Sequence, residues 1–251
     1  MQLVDWAGQT HQIPRYATAA DYRRLRDDLP FRVEWWTIEP SRRPLVAQSL
    51  GCDPAKIAAS VGRVRAMAGG TIRHADIVSN LSSLLWNGRS DCHTRSENLA
   101  VAAIGRPSSF YPDVVVTCGP DQTLPDDPRT VTDPTLVIEV LSPTTERADR
   151  TTKFDAYTAM PSLREYVLVS QDTPRVERFV RVGNDWVVRP VTGHEAHEAA
   201  VEFESLGISV PMAAIYRNVA MDGQSDDEAV SVRRRRHRRP RPWQGISRGR
   251  L

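Results

Sequence analysis

Three segments of the chain carry the period of an amphipathic helix: 18–28, 71–87 and 144–160. The second is the clearest, because Ile77, Leu81 and Leu85 recur on one face and Gly88 follows as a C-terminal stop. Thr18 is the predicted N-cap of the first helix. Each of these helices has an apolar face that it can bury against a sheet.

Short apolar runs rich in β-branched and aromatic residues predict strands around these helices. In chain order the predicted strands are 31–34, 61–67, 91–95, 98–105, 113–118, 135–141, 164–170, 175–182 and 185–191. Residues 182–185 favour a hairpin turn, the Pro-, Asp- and Gly-rich stretch 119–134 favours a loop, and 207–219 favours a strand followed by a short helix. This order predicts an α/β fold, a mixed sheet flanked by helices with antiparallel strands at the C-terminal end.

Composition narrows the class of protein. The 251 residues are 40% hydrophobic, enough for one good-sized core, and no apolar run approaches the roughly 20 residues needed to span a bilayer. The N-terminus lacks the apolar stretch of a signal peptide. The cysteines, Cys52, Cys92 and Cys118, are odd in number and widely spaced, so we expect reduced thiols in a cytoplasmic protein with no membrane partner.

Charge is distributed unevenly along the chain. Residues 231–251 contain nine arginines and no acid, and subtracting these nine from the 33 basic residues leaves 24 against 31 acidic ones. Residues 1–230 therefore carry a formal charge of −7. The pattern predicts a folded domain over 1–220 and a disordered Arg-rich tail over 221–251. The tail is either a solvated end without a role or a basic segment that binds a phosphate-rich polymer, and the sequence leaves both open.

Two carboxylates stand in segments that otherwise have the pattern of buried strands. Asp113 begins strand 113–118, and Glu139 lies inside the apolar run 136–141. If the two strands pair, the carboxylates meet, and a hard divalent cation such as Mg²⁺ would offset their repulsion, with a strand carbonyl such as that of Val140 completing the ligands. The alternative is structural, with Asp113 initiating its strand and Glu139 forming a salt bridge at the end of the sheet.

A lysine on the predicted helix 144–160 is the third candidate. Lys153 lies four residues after Asp149, so the two side chains share a helix face. The simplest interpretation is an ion pair that stabilises the helix by about 0.2–0.5 kcal/mol. The alternative is that Lys153 points over the strand ends toward the carboxylates. There its charge would orient an attacking water or offset charge in a pentacovalent transition state.

Other catalytic patterns are weak or missing from the sequence. There is no GxSxG, P-loop, GxGxxG or HExxH motif. His194 and His197 have a spacing that binds metal when it falls on a helix, but the polar segment around them favours a solvated loop.

In combination, the acids and the lysine resemble the Uma2 family, a bacterial group regarded as endonucleases with the PD-(D/E)xK restriction-endonuclease-like fold. The resemblance covers 16–34 and 61–218. It rests on Pro112-Asp113, Glu139-Val-Leu-Ser142-Pro143, the spacing of Asp149, Lys153 and Tyr157, and Glu165-Tyr166.

The resemblance implies a role for each of these residues. Asp113 and Glu139 would bind Mg²⁺ or Mn²⁺, and Lys153 would be the catalytic lysine. The standard motif has its lysine two residues after the second acid, where this chain has Leu141, whereas the family carries it on the following helix.

Two upstream residues also match the family pattern. Glu34 would complete the metal site, and His74 is an accessory candidate, although a histidine at a helix start is more often a cap or packing residue. The implied partner is DNA, and because cutting both strands of a duplex needs two active sites, a homodimer is one arrangement that stays open.

Residues 35–60 depart from the pattern. Joining 31–34 directly to 61–67 restores a hairpin, so 35–60 has the character of an insertion that would disturb Glu34. The expected function is a Mg²⁺-dependent endonuclease that hydrolyses DNA phosphodiester bonds. The alternatives are a catalytically silent nucleic-acid-binding or mobile-element accessory protein of the same fold, and an interaction protein that uses the insertion.

Overall fold

The computed structural model describes residues 2–4, 9–29, 33–38, 42–50, 61–66, 70–96, 99–103, 108–192 and 199–221. Contacts between residues divide the chain after Val219, and the first unit contains all the elements given below. Cys52, His194 and His197 lie outside the described residues, as does the predicted tail from residue 222 onward. No helix in the described ranges is both long enough and apolar enough to cross a membrane.

The strands alternate with helices in the order that the sequence predicts for its main segments. The strands are β1 (Gln2–Val4), β2 (Thr10–Gln12), β3 (Tyr16–Thr18), β4 (Val33–Thr37), β5 (Val61–Ala66), β6 (Cys92–Ser96), β7 (Ala100–Val101), β8 (Val114–Cys118), β9 (Thr123–Leu124), β10 (Asp127–Val131), β11 (Leu136–Leu141), β12 (Glu165–Ser170), β13 (Arg175–Val182), β14 (Asp185–Thr192), β15 (Ala200–Phe203) and β16 (Ile208–Pro211). The helices are α1 (Ala19–Asp28), α2 (Arg43–Leu50), α3 (Ile72–Trp86), α4 (Glu146–Ala148), α5 (Phe154–Thr158) and α6 (Met212–Ile215), with a π-helical turn at Asp149–Lys153 between α4 and α5.

A six-stranded mixed sheet in the order β14-β13-β12-β11-β8-β6 forms the core. Only β11 and β12 run parallel, and their connection carries α4, the π-helical turn and α5. Every residue of β11 is buried, as expected for a central strand covered on both faces. Val137 on one face packs in a cluster with Tyr157 of α5, and α3 lies against β11, β8 and β6. The two helical layers therefore bury the acidic strand β11 between them.

A separate sheet in the order β3-β5-β4 precedes this core. Strand β4 pairs with β5 across the intervening segment, with Glu34 opposite Arg65, so the hairpin that the sequence suggests is present. The strand extends to Thr37, which places the first three residues of the supposed insertion 35–60 inside the hairpin. Trp35 exchanges both backbone hydrogen bonds with Ser109, at 3.2 and 3.0 Å. This bridge fixes the hairpin to the segment that leads into Asp113.

The stretch 119–134 is not the loop that its composition predicts. It contains β9 and β10, which form a small sheet with β7 in the order β7-β10-β9. Asp127 accepts two hydrogen bonds from the Arg26 guanidinium at 2.8 and 3.0 Å, and a third from Thr130 at 2.6 Å. Such a bidentate pair stabilises a short strand that local propensity alone does not favour.

The prediction of reduced thiols is wrong for two of the three cysteines. Cys92 on β6 lies directly opposite Cys118 on β8, with Cα atoms 4.1 Å apart, and the two form a disulfide. The 26-residue separation between them hides this juxtaposition in the sequence. The bond joins the edge strand of the main sheet to the strand that follows Asp113.

We expect one free thiol, not three, when the unfolded protein is titrated without reductant. Reduction should lower the free energy of unfolding by about 2–4 kcal/mol, because it frees the closed loop in the unfolded chain. Urea unfolding with and without reductant measures this change. The Cys92→Ser, Cys118→Ser double variant is the control, and its stability should not respond to reductant. Three titratable thiols in the wild type would contradict the disulfide.

Candidate active site

The pairing of β8 with β11 brings Asp113 and Glu139 to one place. The antiparallel register sets Ile138 opposite Val114, so the next pair along is Glu139 and Asp113. Directly opposite residues in an antiparallel pair project from the same face. The Val140 backbone N–H donates to Asp113 Oδ2 at 2.7 Å, which holds this carboxylate against β11 just beyond the end of β8.

Lys153 points from the helical layer onto this pair. Its Nζ lies 3.0 Å from Glu139 Oε2, 3.0 Å from Asp149 Oδ1 and 3.6 Å from Glu34 Oε1. The side chain is only 5% exposed, and it points toward the carboxylates. The ion pair with Asp149 exists, but it is buried and shared with carboxylates from two other elements.

The π-helical turn at Asp149–Lys153 is part of this arrangement. Both of its end residues are buried, and π-helical turns within α-helices are frequent at functional sites. Tyr166 on β12 donates from its hydroxyl to the Asp149 carbonyl at 2.9 Å. This bond ties the widened turn to the sheet below it.

Tyr157 is a site residue whose role the sequence does not reveal. Its hydroxyl donates to Glu139 Oε1 at 3.1 Å, so the two oxygens of that carboxylate are held by Lys153 and Tyr157. The available signal was its position four residues after Lys153, on the same helix face. Burial raises the pKa of Tyr157 well above its usual range, and the phenol therefore remains a donor.

Glu34 is not displaced by the segment that follows it. It is 3% exposed, and Trp36 Nε1 donates to its Oε2 at 3.0 Å. The Tyr111 N–H points to its Oε1 at 3.4 Å. The hairpin thus delivers Glu34 to Lys153, contrary to the expectation that residues 35–60 would disturb it.

His74 also reaches the site. Thr71 caps α3 by accepting from the His74 backbone N–H at 3.1 Å. The imidazole Nε2 lies 3.2 Å from Asp113 Oδ1. His74 is therefore more than a helix-start residue, because Asp113 is held from α3 on one oxygen and from β11 on the other.

Burial and charge act against each other in this cluster. Burial raises the pKa of Glu139 well above its usual range, despite the opposing attraction of Lys153, and burial also raises the pKa of Asp149. For Lys153, burial disfavours the charged form. The attraction of Glu139, Glu34 and Asp149 outweighs that cost and raises the pKa of the ammonium well above its usual range. One protonated lysine thus faces an excess of acids.

The donor atoms suit a hard divalent cation. Within the described ranges, no three His, Cys, Asp or Glu side chains are placed to share one ion. The ligands expected from the sequence are two carboxylates and one carbonyl: Asp113, Glu139 and the Val140 carbonyl, which lies on the same side of β11 as the N–H bonded to Asp113. Mg²⁺ characteristically takes one or two carboxylates and completes its shell with water and phosphate oxygens. The cluster holds more acids than cations, and such an ion would offset the repulsion between their ionised forms.

Comparison with known proteins identifies the family. The Uma2 family model, described as "Putative restriction endonuclease", matches residues 52–213. The chain belongs to the Uma2 family. Its six-stranded mixed sheet with flanking helices agrees with the α/β class predicted from the sequence. The Uma2 match begins after β4, so the resemblance noted for residues 16–34, which includes Glu34, lies outside it.

Two curated relatives come from Synechocystis sp. PCC 6803, and both are named only as uncharacterized proteins. Slr1290 is 33% identical over 162 residues, covering 63% of this chain and 82% of that protein. Sll1609 is 31% identical over 152 residues, covering 59% of this chain and 83% of that protein. A crystal structure of "a putative nuclease belonging to DUF820" from Anabaena variabilis is similar over 61% of this chain and 86% of that chain. It has 14% identity and a TM-score of 0.48.

Replacing Lys153 by methionine should destabilise the protein by about 3–5 kcal/mol near neutral pH, because it leaves buried carboxylates without their cation. The folded-state pKa values of Glu139 and Asp149 are raised above those of the unfolded chain. Their ionisation therefore costs stability as the pH rises above the unfolded values, and Lys153 offsets that cost. The deficit of Lys153→Met should shrink as the pH falls toward about 5, where the acids hold protons more readily.

Urea unfolding of the wild type and of Lys153→Met at the two pH values tests this. Lys153→Arg, which keeps the charge, should retain most of the stability. A deficit of the same size at both pH values would show that Lys153 acts through packing and not through its charge.

Proposed function

We propose that this protein is a metal-dependent endonuclease that hydrolyses DNA phosphodiester bonds, with Asp113, Glu139 and the Val140 carbonyl as ligands for Mg²⁺ or Mn²⁺. The observation that carries the proposal is the placement of Lys153 Nζ 3.0 Å from Glu139 Oε2, beside the strand pair that bears Asp113. Two acids on paired strands and a buried lysine over them are the parts that this hydrolysis needs. Family membership supports the nuclease activity, and DNA as the substrate is part of the proposal.

Bound at this site, the metal would polarise the phosphate and supply a nucleophilic water at neutral pH. Lys153 holds a fixed positive charge next to Glu139, where negative charge would develop on the phosphate oxygens. Tyr157 orients the Glu139 carboxylate, and Asp149 orients the Lys153 ammonium. Because these groups are buried and mutually bonded, they need little reorganisation during the reaction.

Asp113 is oriented from two sides. The Val140 N–H holds one oxygen and His74 approaches the other. We assign His74 a positioning role for this carboxylate. Glu34 Oε1 lies 3.6 Å from Lys153 Nζ, and we assign Glu34 the role of balancing the lysine charge. The further expectation that Glu34 completes the metal site stays a prediction.

The silent nucleic-acid-binding alternative loses its main support. It rested on an N-terminal hairpin broken by residues 35–60, and β4 and β5 are paired with Glu34 in place. A measurement of cleavage distinguishes the nuclease from the silent nucleic-acid-binding protein.

Supercoiled plasmid incubated with the protein and Mg²⁺ or Mn²⁺ should be nicked or linearised. Asp113→Asn, Glu139→Gln and Lys153→Met should each lower the rate by about 100-fold or more, because each removes a charge that acts in the transition state. Gel analysis of initial rates measures the effect. Glu146→Gln is a matched control, since Glu146 is a half-exposed acid that pairs with Arg150 on the same helix.

Three outcomes separate the alternatives. Loss of cleavage in the three site variants, but not in Glu146→Gln, supports the assigned site. Cleavage that survives in all three rules out that site. Absence of cleavage by the wild type with metal demonstrably bound supports the silent protein.

A further inference from the structure

A groove of about 980 Å³ lies beside the proposed active site. Its walls come from the β3-β5-β4 sheet, from the start of α2 and from α4 with the turn after it. Five arginines line it, and we call it the arginine groove: Arg15, Arg42, Arg43, Arg63 and Arg147. Asp155 is the single acid among its lining residues. The groove is thus a strongly basic feature on a domain whose net charge is negative.

These arginines differ from most others in the protein by their lack of acidic partners. Within the described part of the chain, none of the five forms an ion pair with a carboxylate. Elsewhere, arginines are generally paired, as in Arg26 with Asp127, Arg95 with Asp121 and Arg150 with Glu177. A cluster of arginines without counter-charges repels itself, and an anionic ligand would relieve that repulsion.

On the side of the groove formed by the β3-β5-β4 sheet, an arginine lies between two aromatic residues. In the β3-β5-β4 sheet, Tyr16 is opposite Arg63 and Arg63 is opposite Trp36, so the three side chains project side by side from one face. An arginine between two aromatic rings offers flat surfaces on which nucleic-acid bases stack and a charge for the phosphate between them. Arg42 and Arg43, at the start of α2, also line the groove.

The groove is adjacent to the catalytic residues but does not include them. Trp36 lines it and donates to Glu34, which contacts Lys153. Phe110 lines it and meets the Tyr157 ring edge-on at a centroid distance of 5.7 Å. A chain lying in the groove would therefore pass one layer of side chains away from the carboxylates.

We propose that the arginine groove binds a single strand of nucleic acid, with phosphates on the arginines and bases against Tyr16 and Trp36. The row of Tyr16, Arg63 and Trp36 favours a single strand, because unpaired bases can stack on aromatic rings whereas the bases of a duplex are already stacked. This inference rests on the proposed nuclease function for its purpose, but the binding it describes does not require cleavage. It gives the segment between β4 and β5 a role, because α2 supplies a wall of the binding site.

The test is equilibrium binding of a fluorescent single-stranded oligonucleotide of about 12 nucleotides, measured beside the duplex of the same sequence. It uses the full chain in EDTA, between about 50 and 200 mM salt. The groove variant combines Arg42→Ala, Arg63→Ala and Arg147→Ala, one exposed arginine from each wall. The matched control combines Arg24→Ala, Arg164→Ala and Arg217→Ala, which removes the same charge from exposed positions outside the groove. Thermal unfolding of all proteins checks that they are folded.

The groove variant should bind about tenfold more weakly or worse at low salt. The slope of log affinity against log salt should become shallower by about 2, since each lost phosphate contact on a single strand removes about 0.7. The control variant should keep most of the wild-type affinity. If the groove triple is poorly folded, the double variant Arg42→Glu, Arg43→Glu at the start of α2 should show the same loss.

Equal losses in the groove and control variants would overturn the proposal, because binding would then follow overall charge or the tail. A loss confined to duplex DNA would overturn the assignment to a single strand. A groove-dependent loss in a protein that cleaves nothing would uphold the groove and reject the nuclease function. Cleavage unaffected by the groove variant, with unchanged single-strand binding, would uphold the nuclease function and reject the groove.

Discussion

The buried ammonium of Lys153 is the interaction around which the rest of the structure is arranged. It is held by Glu139 from the central strand, by Asp149 from its own helical turn and by Glu34 from the N-terminal hairpin. A buried charge without partners is costly, so each of these elements must deliver its carboxylate to the same point. The strand that carries Glu34 and the segment 139–153, which begins about 100 residues later, are thereby constrained to one geometry.

That constraint explains why β4, which lies before the Uma2 match, matters to the site. Trp35 binds the backbone of Ser109, four residues before Asp113, and its indole donates to the Ala17 carbonyl at 2.9 Å. The ring also covers Gly62, where a Cβ atom would come within 2.2 Å of it. The neighbouring Trp36 turns the other way and bonds Glu34. Consecutive tryptophans therefore join the hairpin core to the acidic cluster.

Much of the fold could be predicted because its signals are local. Strands 113–118 and 135–141, helix 71–87 and the hairpin 175–191 follow from alternation, periodicity and turn residues. The meeting of Asp113 and Glu139 was expected only on the condition that their two strands pair, and the register of β8 with β11 meets that condition. His74 was only a weak candidate, because a histidine at the start of a helix has many structural uses.

The features that sequence reasoning missed depend on contacts between distant segments. Strand β10 carries Asp127, which pairs with Arg26 of α1, about 100 residues earlier in the sequence. The Cys92–Cys118 bond appears only once β6 and β8 are in register. The contribution of α2 to the arginine groove likewise could not be predicted, because the local sequence of this helix does not indicate which element it packs against. In each case tertiary context overrides or supplements local propensity.

The π-helical turn makes the site sensitive to the number of residues as well as to their identity. An α-helix advances about 100° per residue, so deleting one residue from this turn would rotate everything after it by about that angle relative to α4. Lys153 and Tyr157 would leave Glu139 together, while Asp149 would stay behind. Relatives that preserve every site residue but differ by one residue in the spacing between the strand acid and the lysine would need a compensating change in the connecting loop. The number of residues between Glu139 and Lys153 is therefore as much a requirement of the site as the residues themselves.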